Sequence, residues 1–553
     1  MKMKNFLQPF GWKAWFVAGI ASMGMVACSD DDVTGDDNNS GTEIPPISEA
    51  NTPTPNPYLA AEHYSVTHFN SAQTDGFPYN VKSGTFQVDI NDCEGSWSGP
   101  VNLMTLSSTD PDYMWNMSSD RVAYVYVGDG SFTRVSEAAL PGVKTKTEEE
   151  LRKVVADYNS VDEVRNAITP FLGEYPQFVL SSGNYVICDK DNYAYINAVT
   201  RVVRYKLKDA SDPTQGIVLD KQINLQDYNS NIQTMVGLVM TYDGNLVAVV
   251  SQGILIISRD LSTIKDFYVL PEGQKISNSV AVDENNGIYV VSSSTTANGQ
   301  GIMQKIIWNG SKLSTDEADG AWQATYDGGP EAPSIKMGFG SGSTPTLMGF
   351  GDDDDKLVVI TDGAKRMKLA AFWRDEIPED AVAVDPENPR LAGEIEANCG
   401  LPETTEWIQS EQSVVTAGYG AFVVNNIAAD AVVNDKLVGV LSIGPILEQP
   451  TGVERFQWNT EKNSWESVWT RGDVSSTSMI PAVSTSSNLV FVNGYDANDG
   501  WDVKGLDWNS GATQHRVVFG KNNRGNGAYA IIQYMENGDL LFNSVSGPFR
   551  VKL

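Results

Sequence analysis

Eight short alternating apolar runs, each opened by an Asp, Asn, Gly or Ser turn and set roughly 43 to 69 residues apart, predict an all-β protein. One four-stranded sheet per interval makes this a β-propeller of eight, alternatively seven, four-stranded blades. A single segment at helical spacing, residues 144–172, stands apart as a short helical insertion. A chain of 553 residues exceeds one compact core, and the repeat reads as one large architecture rather than several domains.

The runs begin at Ser119, Gly183, Asp243, Asn286, Asp355, Gly418, Ser487 and Asn537. Asp243-Gly-Asn-Leu-Val-Ala-Val-Val250 is typical: a turn followed by β-branched residues that bury both faces of a strand. Pro548-Phe-Arg-Val-Lys-Leu553 reads as the strand that seals the ring, with the count of seven arising if one run is a half-blade completed by an N-terminal strand. In the insertion, Thr147/Glu150 and Ser160/Glu163 form two capping boxes, apolar residues follow at i, i+3 and i+4, and Pro170 is expected to stop the second helix.

Composition limits function. Aromatic residues at 10% and apolar residues at 41% exclude a disordered polymer. With 70 acidic against 39 basic side chains, the net charge of −31 repels phosphate, so no nucleic-acid partner is expected, nor a basic patch on an anionic membrane. Beyond Cys28, the cysteines Cys93, Cys188 and Cys399 are widely spaced; one disulfide could form, and no metal-ligand spacing is present.

The N-terminus carries an address. Lys2, Lys4 and Lys13 precede an apolar run, residues 14–27, too short to span a bilayer but of signal-peptide length. It ends in Met25-Val26-Ala27-Cys28, which resembles a lipobox, and the following Ser29-Asp30-Asp31-Asp32 is similar to the surface-export signal of Bacteroidota-type lipoproteins. The resemblance implies residues 1–27 as signal peptide, Cys28 as the lipidation site bearing palmitate-type chains, and a cell outer membrane protein facing outward, touching the membrane through its lipid anchor only. Residues 28–57 hold seven carboxylates, no Lys or Arg and a Pro/Thr-rich end, and read as a solvated tether. The propeller is then residues 58–553.

Several segments resemble a family of secreted quinoprotein-like propellers: Asn278 to Val290, Gly340-Ser-Gly-Ser-Thr-Pro-Thr346, Val358 to Gly363, Ser410 to Val415, and Val423-Val-Asn-Asn426. The glycine-rich segment is the most distinctive. The resemblance implies the shape of pyrroloquinoline-quinone dehydrogenases without their cofactor, because their adjacent cysteine pair is absent.

Candidate chemistry falls into four groups. Asn278 stands in a context similar to the metal-binding Asn of gluconolactonase-type propellers; with Asp362 and Glu411 it would hold Ca²⁺ for lactone or ester hydrolysis, against the simpler reading that Asn and Asp at strand ends cap turns. Ser341, Ser343 and Thr344, on a loop that lets a ligand approach the backbone, and Asn425 and Asn426 are candidate contacts to a small-molecule or glycan ligand. Among the three histidines, His63, His68 and His515, His68 is the best general base, and Glu411 is the other catalytic candidate. Trp97, Trp115, Trp322, Trp407 and Trp501 are candidates for stacking on sugars, whereas Trp308, Trp458 and Trp508, each followed by Asn, read as blade packing. The tetrad Asp352–Asp355 lacks the spacing of a Ca²⁺ loop and reads as a solvated turn. The expected function is a surface-anchored propeller binding a ligand at one mouth of its ring. The alternatives are a metal-dependent hydrolase and a structural subunit of an outer-membrane uptake complex, with a transporter as partner.

Overall fold

The computed structural model describes residues 46–60, 68–100, 102–104, 108–172, 185–332, 336, 340–379, 381–427 and 436–553. The signal peptide, Cys28 and the tether up to residue 45, together with His63, lie outside these residues.

Among the described residues the strands form eight sheets. Seven have four or more strands, built in chain order as antiparallel blades. Blade 1 starts at Asn102–Met104, blade 2 at Val186–Cys188, blade 3 at Met235–Met240 and blade 4 at Gln274–Lys275. Blades 5, 6 and 7 start at Thr346–Met348, Val415–Ala417 and Ala482–Ser484. The last sheet has three strands, Ile532–Tyr534, Leu540–Ser544 and Gly547–Val551, and sits between blades 7 and 1. It is completed from the other end of the chain. Ser96 N–H donates to Pro548 at 2.9 Å, Arg550 N–H to Glu94 at 2.8 Å, and Gly95 bridges Phe549. Thus seven blades are each built from consecutive strands and an eighth sheet is composite, closed by Glu94–Ser98 outside the C-terminal strand. Pro548–Leu553 takes part in the seal as its inner partner.

Both faces of most inner and second strands are buried, as their uninterrupted Val, Ile and Leu require. Adjacent blades are stapled by tryptophan. Trp308 and Trp458 end the third strands of blades 4 and 6, and their indole N–H groups donate to Asp243 (2.9 Å) and Asp355 (2.7 Å) in a turn of the preceding blade. Trp508 occupies the same place in blade 7, under the Arg455 guanidinium at 5.1 Å. The acidic tetrad is therefore only partly a solvated turn: Asp355 is buried, and Asp352 and Asp353 each accept from Asn51 at 2.8 Å.

The main departure from expectation is the N-terminal segment. Asn56 donates to Met240 O at 3.0 Å, Ala60 N–H to Cys188 O, and Ile47 is buried against blades 6 and 7, so the end of the segment read as a tether lies on the propeller. Residues 68–77 then fill the central channel. The innermost strands of blades 4 to 7 are inner edges with N–H groups facing the axis. Val282, Leu347, Thr416 and Val483 donate these N–H groups to the carbonyls of Ser71, Ala72, Thr74 and Asp75 at 2.8 to 3.0 Å. Gly76–Phe77 continues as a parallel strand on blade 7. His68, Phe69, Gln73 and Asp75 adopt positive φ of 58 to 73°, strain of about 1 kcal/mol or more each, held by the hydrogen bonds to blades 4 to 7.

The insertion forms helices Glu148–Arg152 and Val161–Leu172, joined by a short 3-10 turn at Lys153–Val155. The Thr147 box is made in both directions, Thr147 N–H to Glu150 at 2.8 Å and Glu150 N–H to Thr147 Oγ1 at 3.2 Å. Pro170 does not stop the second helix: the ring removes one hydrogen bond, and the chain runs on helically to Leu172. Val154, Val164 and Ile168 pack on Leu437 and Leu441 of a further helix, Lys436–Ser442, and on Ala528 and Val545. Cys93, Cys188 and Cys399 are free thiols, so no disulfide joins them; they belong to separate parts of the ring. Among the described residues no helix is long and apolar enough to cross a membrane.

Candidate functional site

Because every blade begins at its innermost strand, the ring has a leading mouth, where those strands start, and a trailing mouth, where they end. The plug meets the strands toward the trailing mouth. There, Ile47 to Pro55 cross over it and enclose a cavity of about 170 Å³ with Phe77 and Phe350 in its wall and no charged side chain in its lining.

The leading mouth is chemically different. The glycine-rich loop turns between blades 4, 5 and 6. Ser341 N–H donates to Tyr326 Oη at 3.2 Å, and Ser341 and Ser343 hydroxyls pair at 2.8 Å. Thr344 Oγ1 donates to Asn278 Oδ1 at 3.1 Å, while Asn278 Nδ2 donates to Gly342 O at 3.0 Å. Gly342 has φ +67°, and a Cβ there would stand 2.8 Å from the Lys336 Cε and 3.7 Å from a Glu411 carboxylate oxygen. Lys336 Nζ donates to Gln409 Oε1 at 3.0 Å. The loop thus has a lysine against it, supplied from its N-terminal side.

Sequence-predicted residues Asn278, Ser341, Ser343, Thr344, Asp362, Glu411, Asn425 and Asn426 all lie in or beside this region, but not in equal roles. Asn425 accepts from Gln409 N–H (3.1 Å) and donates to Thr451 O (3.0 Å); Asn426 accepts from Glu411 N–H (2.9 Å) and donates to Gln412 and to Thr477 O. Their amides lace the 409–412 segment onto blade 6, so they position Glu411 and Gln409. His68 is elsewhere: its Nδ1 lies 3.1 Å from both Asp75 carboxylate oxygens inside the plug. His515 is bound by Lys82 O and Tyr534 Oη at the rim of blade 7, and burial lowers its pKa.

The Ca²⁺ expectation does not fit this donor set. Asn278 Oδ1 already accepts from Tyr185 Oη, Thr344 and Ser279 N–H, and Glu411 and Asp362 already feel the positive charge of Lys336. Among the described residues no three His, Cys, Asp or Glu gather as metal ligands. Lys336, Gln409, Gln412 and Tyr185 were missed from the sequence. Only Lys336 had a readable signal, a lone cation close before a glycine-rich loop in an acidic chain.

The aromatic expectation is corrected too. Trp115 and Trp501 are fully buried and Trp322 nearly so, packed in blade interiors; Trp97 and Trp407 alone of the five are half-buried. Trp407 is covered by the Lys365 ammonium at 5.3 Å.

Burial pushes Asp362 up to about 7, with Asp327 adding to it and the N–H groups of Lys368 and Ala364 on Oδ1 opposing it; Oδ2 meets no donor among the described residues. Burial pulls Lys336 down to about 8, against the attraction of Glu411 and Asp362. Both groups thus exchange protons near neutrality. Between about pH 4 and 7 the folded chain holds a proton on Asp362 that the unfolded chain has lost, so this group makes stability fall as pH rises. Lys336 acts in the opposite sense from about pH 8 to 10.5, where the unfolded chain holds the extra proton and stability rises with pH. Asp362→Asn, which keeps the Oδ1 acceptor, is expected to gain stability relative to wild type between pH 4.5 and 7.5 in urea midpoints; a difference that does not change with pH contradicts this.

Comparisons with known proteins fit the fold. No family model matches the chain. An uncharacterized protein of Archaeoglobus fulgidus is 33% identical over 291 residues, covering 50% of this chain and 53% of that one. The chain thus spans about half the length of the curated relative it matches. Among solved structures, quinohemoprotein alcohol dehydrogenase from Comamonas testosteroni aligns with a TM-score of 0.50 at 10% identity, over 91% of this chain and 82% of that one. BamB from Moraxella catarrhalis aligns with a TM-score of 0.34 at 10% identity, over 65% of this chain and 92% of that one. The chain is a quinoprotein-like β-propeller in fold.

Proposed function

We propose that the protein is held at the cell surface by acyl chains on Cys28 and binds a small-molecule or carbohydrate ligand at the leading mouth of its propeller. The observation that carries the reading is the convergence of Lys336, Asp362 and Glu411 beside the Ser341–Thr344 loop, while residues 68–77 fill the channel behind them. Buried charges are costly unless put to use, and a few convergent polar groups are what orients a hydroxyl-rich ligand. The signal run and lipobox-like Met25–Cys28 support the anchor.

A thermal-shift panel of neutral sugars, sugar acids and organic acids on the mature chain tests the ligand reading, with Cys28→Ser fractionation testing the anchor. Stabilisation by one ligand class supports it. A flat response, with an outer-membrane transporter co-precipitating, favours the scaffold role, and Cys28→Ser protein still in the membrane fraction removes the anchor.

A further inference from the structure

In this acidic chain, one cleft gathers basic side chains. Where the ring closes, the Glu94–Ser98 segment, the insertion and the Lys521–Arg524 loop bound an open cleft of about 460 Å³. Trp97, Arg152, Lys521 and Arg524 line it, with the amides of Asn91 and Asn522. Its size is that of a small-molecule pocket.

Arg524 is the informative residue. It is 8% exposed, and its Nε makes no hydrogen bond among the described residues. Its guanidinium lies 4.3 Å from the Trp97 ring centre and 5.1 Å from that of Phe549, with no carboxylate within ion-pair distance among the described residues. A second guanidinium, Arg152, stands 4.5 Å from the same Trp97 ring, while bound to Glu148 at 2.6 Å. Burial, with repulsion from Arg152, pulls Arg524 down to about 10. Lys521 at the rim is exposed and forms no ion pair among the described residues. The opposing charges are Asp157 in the lining and Glu148 on Arg152.

Among the described residues no carboxylate forms an ion pair with the buried Arg524, and stacking on two rings repays little of the desolvation of a guanidinium. The Arg524 guanidinium, with Arg152 and the Lys521 ammonium on the same cleft, supplies positive charge and N–H donors of the kind that planar or tetrahedral oxygens take in pairs. We propose that this cleft binds a small oxyanion-bearing molecule, a carboxylate such as an acidic sugar or a sulfate or phosphate group, at a site separate from the Lys336 cluster.

Calorimetry on the mature full-length chain at low salt tests it, with galacturonate, sodium sulfate and galactose as probes. Galacturonate or sulfate is expected to bind one per chain, at least tenfold more weakly in Lys521→Ala and in Arg152→Ala, both exposed positions that should leave the melting temperature in place. Binding of galacturonate alone assigns the site to organic carboxylates; binding of sulfate alone or of both assigns it to oxyanions in general. Lys336→Met should leave this binding intact, which separates it from the leading-mouth reading. Silence from both anions, affinities unchanged in both variants, or galactose binding as tightly as galacturonate overturns the proposal.

Discussion

Trp458→Ala is expected to destabilise the protein by about 3–5 kcal/mol, among the largest losses available from one side chain. The indole is buried, meets Trp373 and Trp465 edge-on at 6.0 and 5.2 Å, and holds Asp355 of the neighbouring blade at 2.7 Å. Removing it opens a cavity in the core of blade 6 and cuts the staple to blade 5. Trp458→Phe keeps much of the volume and loses the hydrogen bond, at about 1–3 kcal/mol. Tyr228→Ala, at a position 54% exposed, should fall within about 0.5 kcal/mol. Urea unfolding of the three variants checks the ranking; equal midpoints for Trp458→Ala and Tyr228→Ala would refute the staple.

Phe77→Ala is expected to cost a similar amount, about 3–5 kcal/mol, and to act at a distance. Phe77 is the apolar end of the plug, 6.0 Å from Phe69 and Phe491 and 5.8 Å from Tyr534. It ties residues 68–77 to blade 7 and the composite sheet. With that tie gone, the N–H groups of Val282, Leu347 and Thr416 should lose their plug acceptors more often than outer-strand amides lose theirs. Hydrogen exchange read by mass spectrometry should accelerate in peptides containing those residues while third strands such as Gly253–Ser258 of blade 3 stay protected. Uniform acceleration throughout would mean that the plug has no separate standing.

These two residues also mark what was legible in the sequence. The blades were readable because each is local: a turn such as Asp243-Gly-Asn followed by β-branched residues specifies its own hairpin, and the Trp-Asn recurrence marks one position in blades 4, 6 and 7. The capping boxes at Thr147 and Ser160 were readable for the same reason. The plug was not. His68 to Phe77 has no period and no turn signature, and its partners lie 200 to 400 residues away, so its conformation follows from unpaired inner-edge N–H groups that no local pattern reveals. His68 looked available because its neighbours are polar, and it is consumed by Asp75 within the same short segment. Around the glycine-rich loop, Asn278, Thr344, Asp362 and Glu411 could be picked out as polar residues near strand ends. Which of them lace segments together depended on contacts that no local pattern reveals, as Asn426, which accepts from the Glu411 N–H and donates to Thr477 O, illustrates.

The central claim is that the leading mouth is the ligand site, and its most direct test is a paired measurement. The compound that most raises the melting temperature of the mature protein in the thermal-shift panel should be titrated into wild type, Lys336→Met and Gly342→Ala. Gly342→Ala strains a backbone at φ +67° and pushes against the Lys336 side chain. Binding reduced tenfold or more in both variants, with their melting temperatures without ligand still cooperative, is the predicted result. Binding at wild-type strength in both would place the ligand elsewhere on the ring and contradict the account.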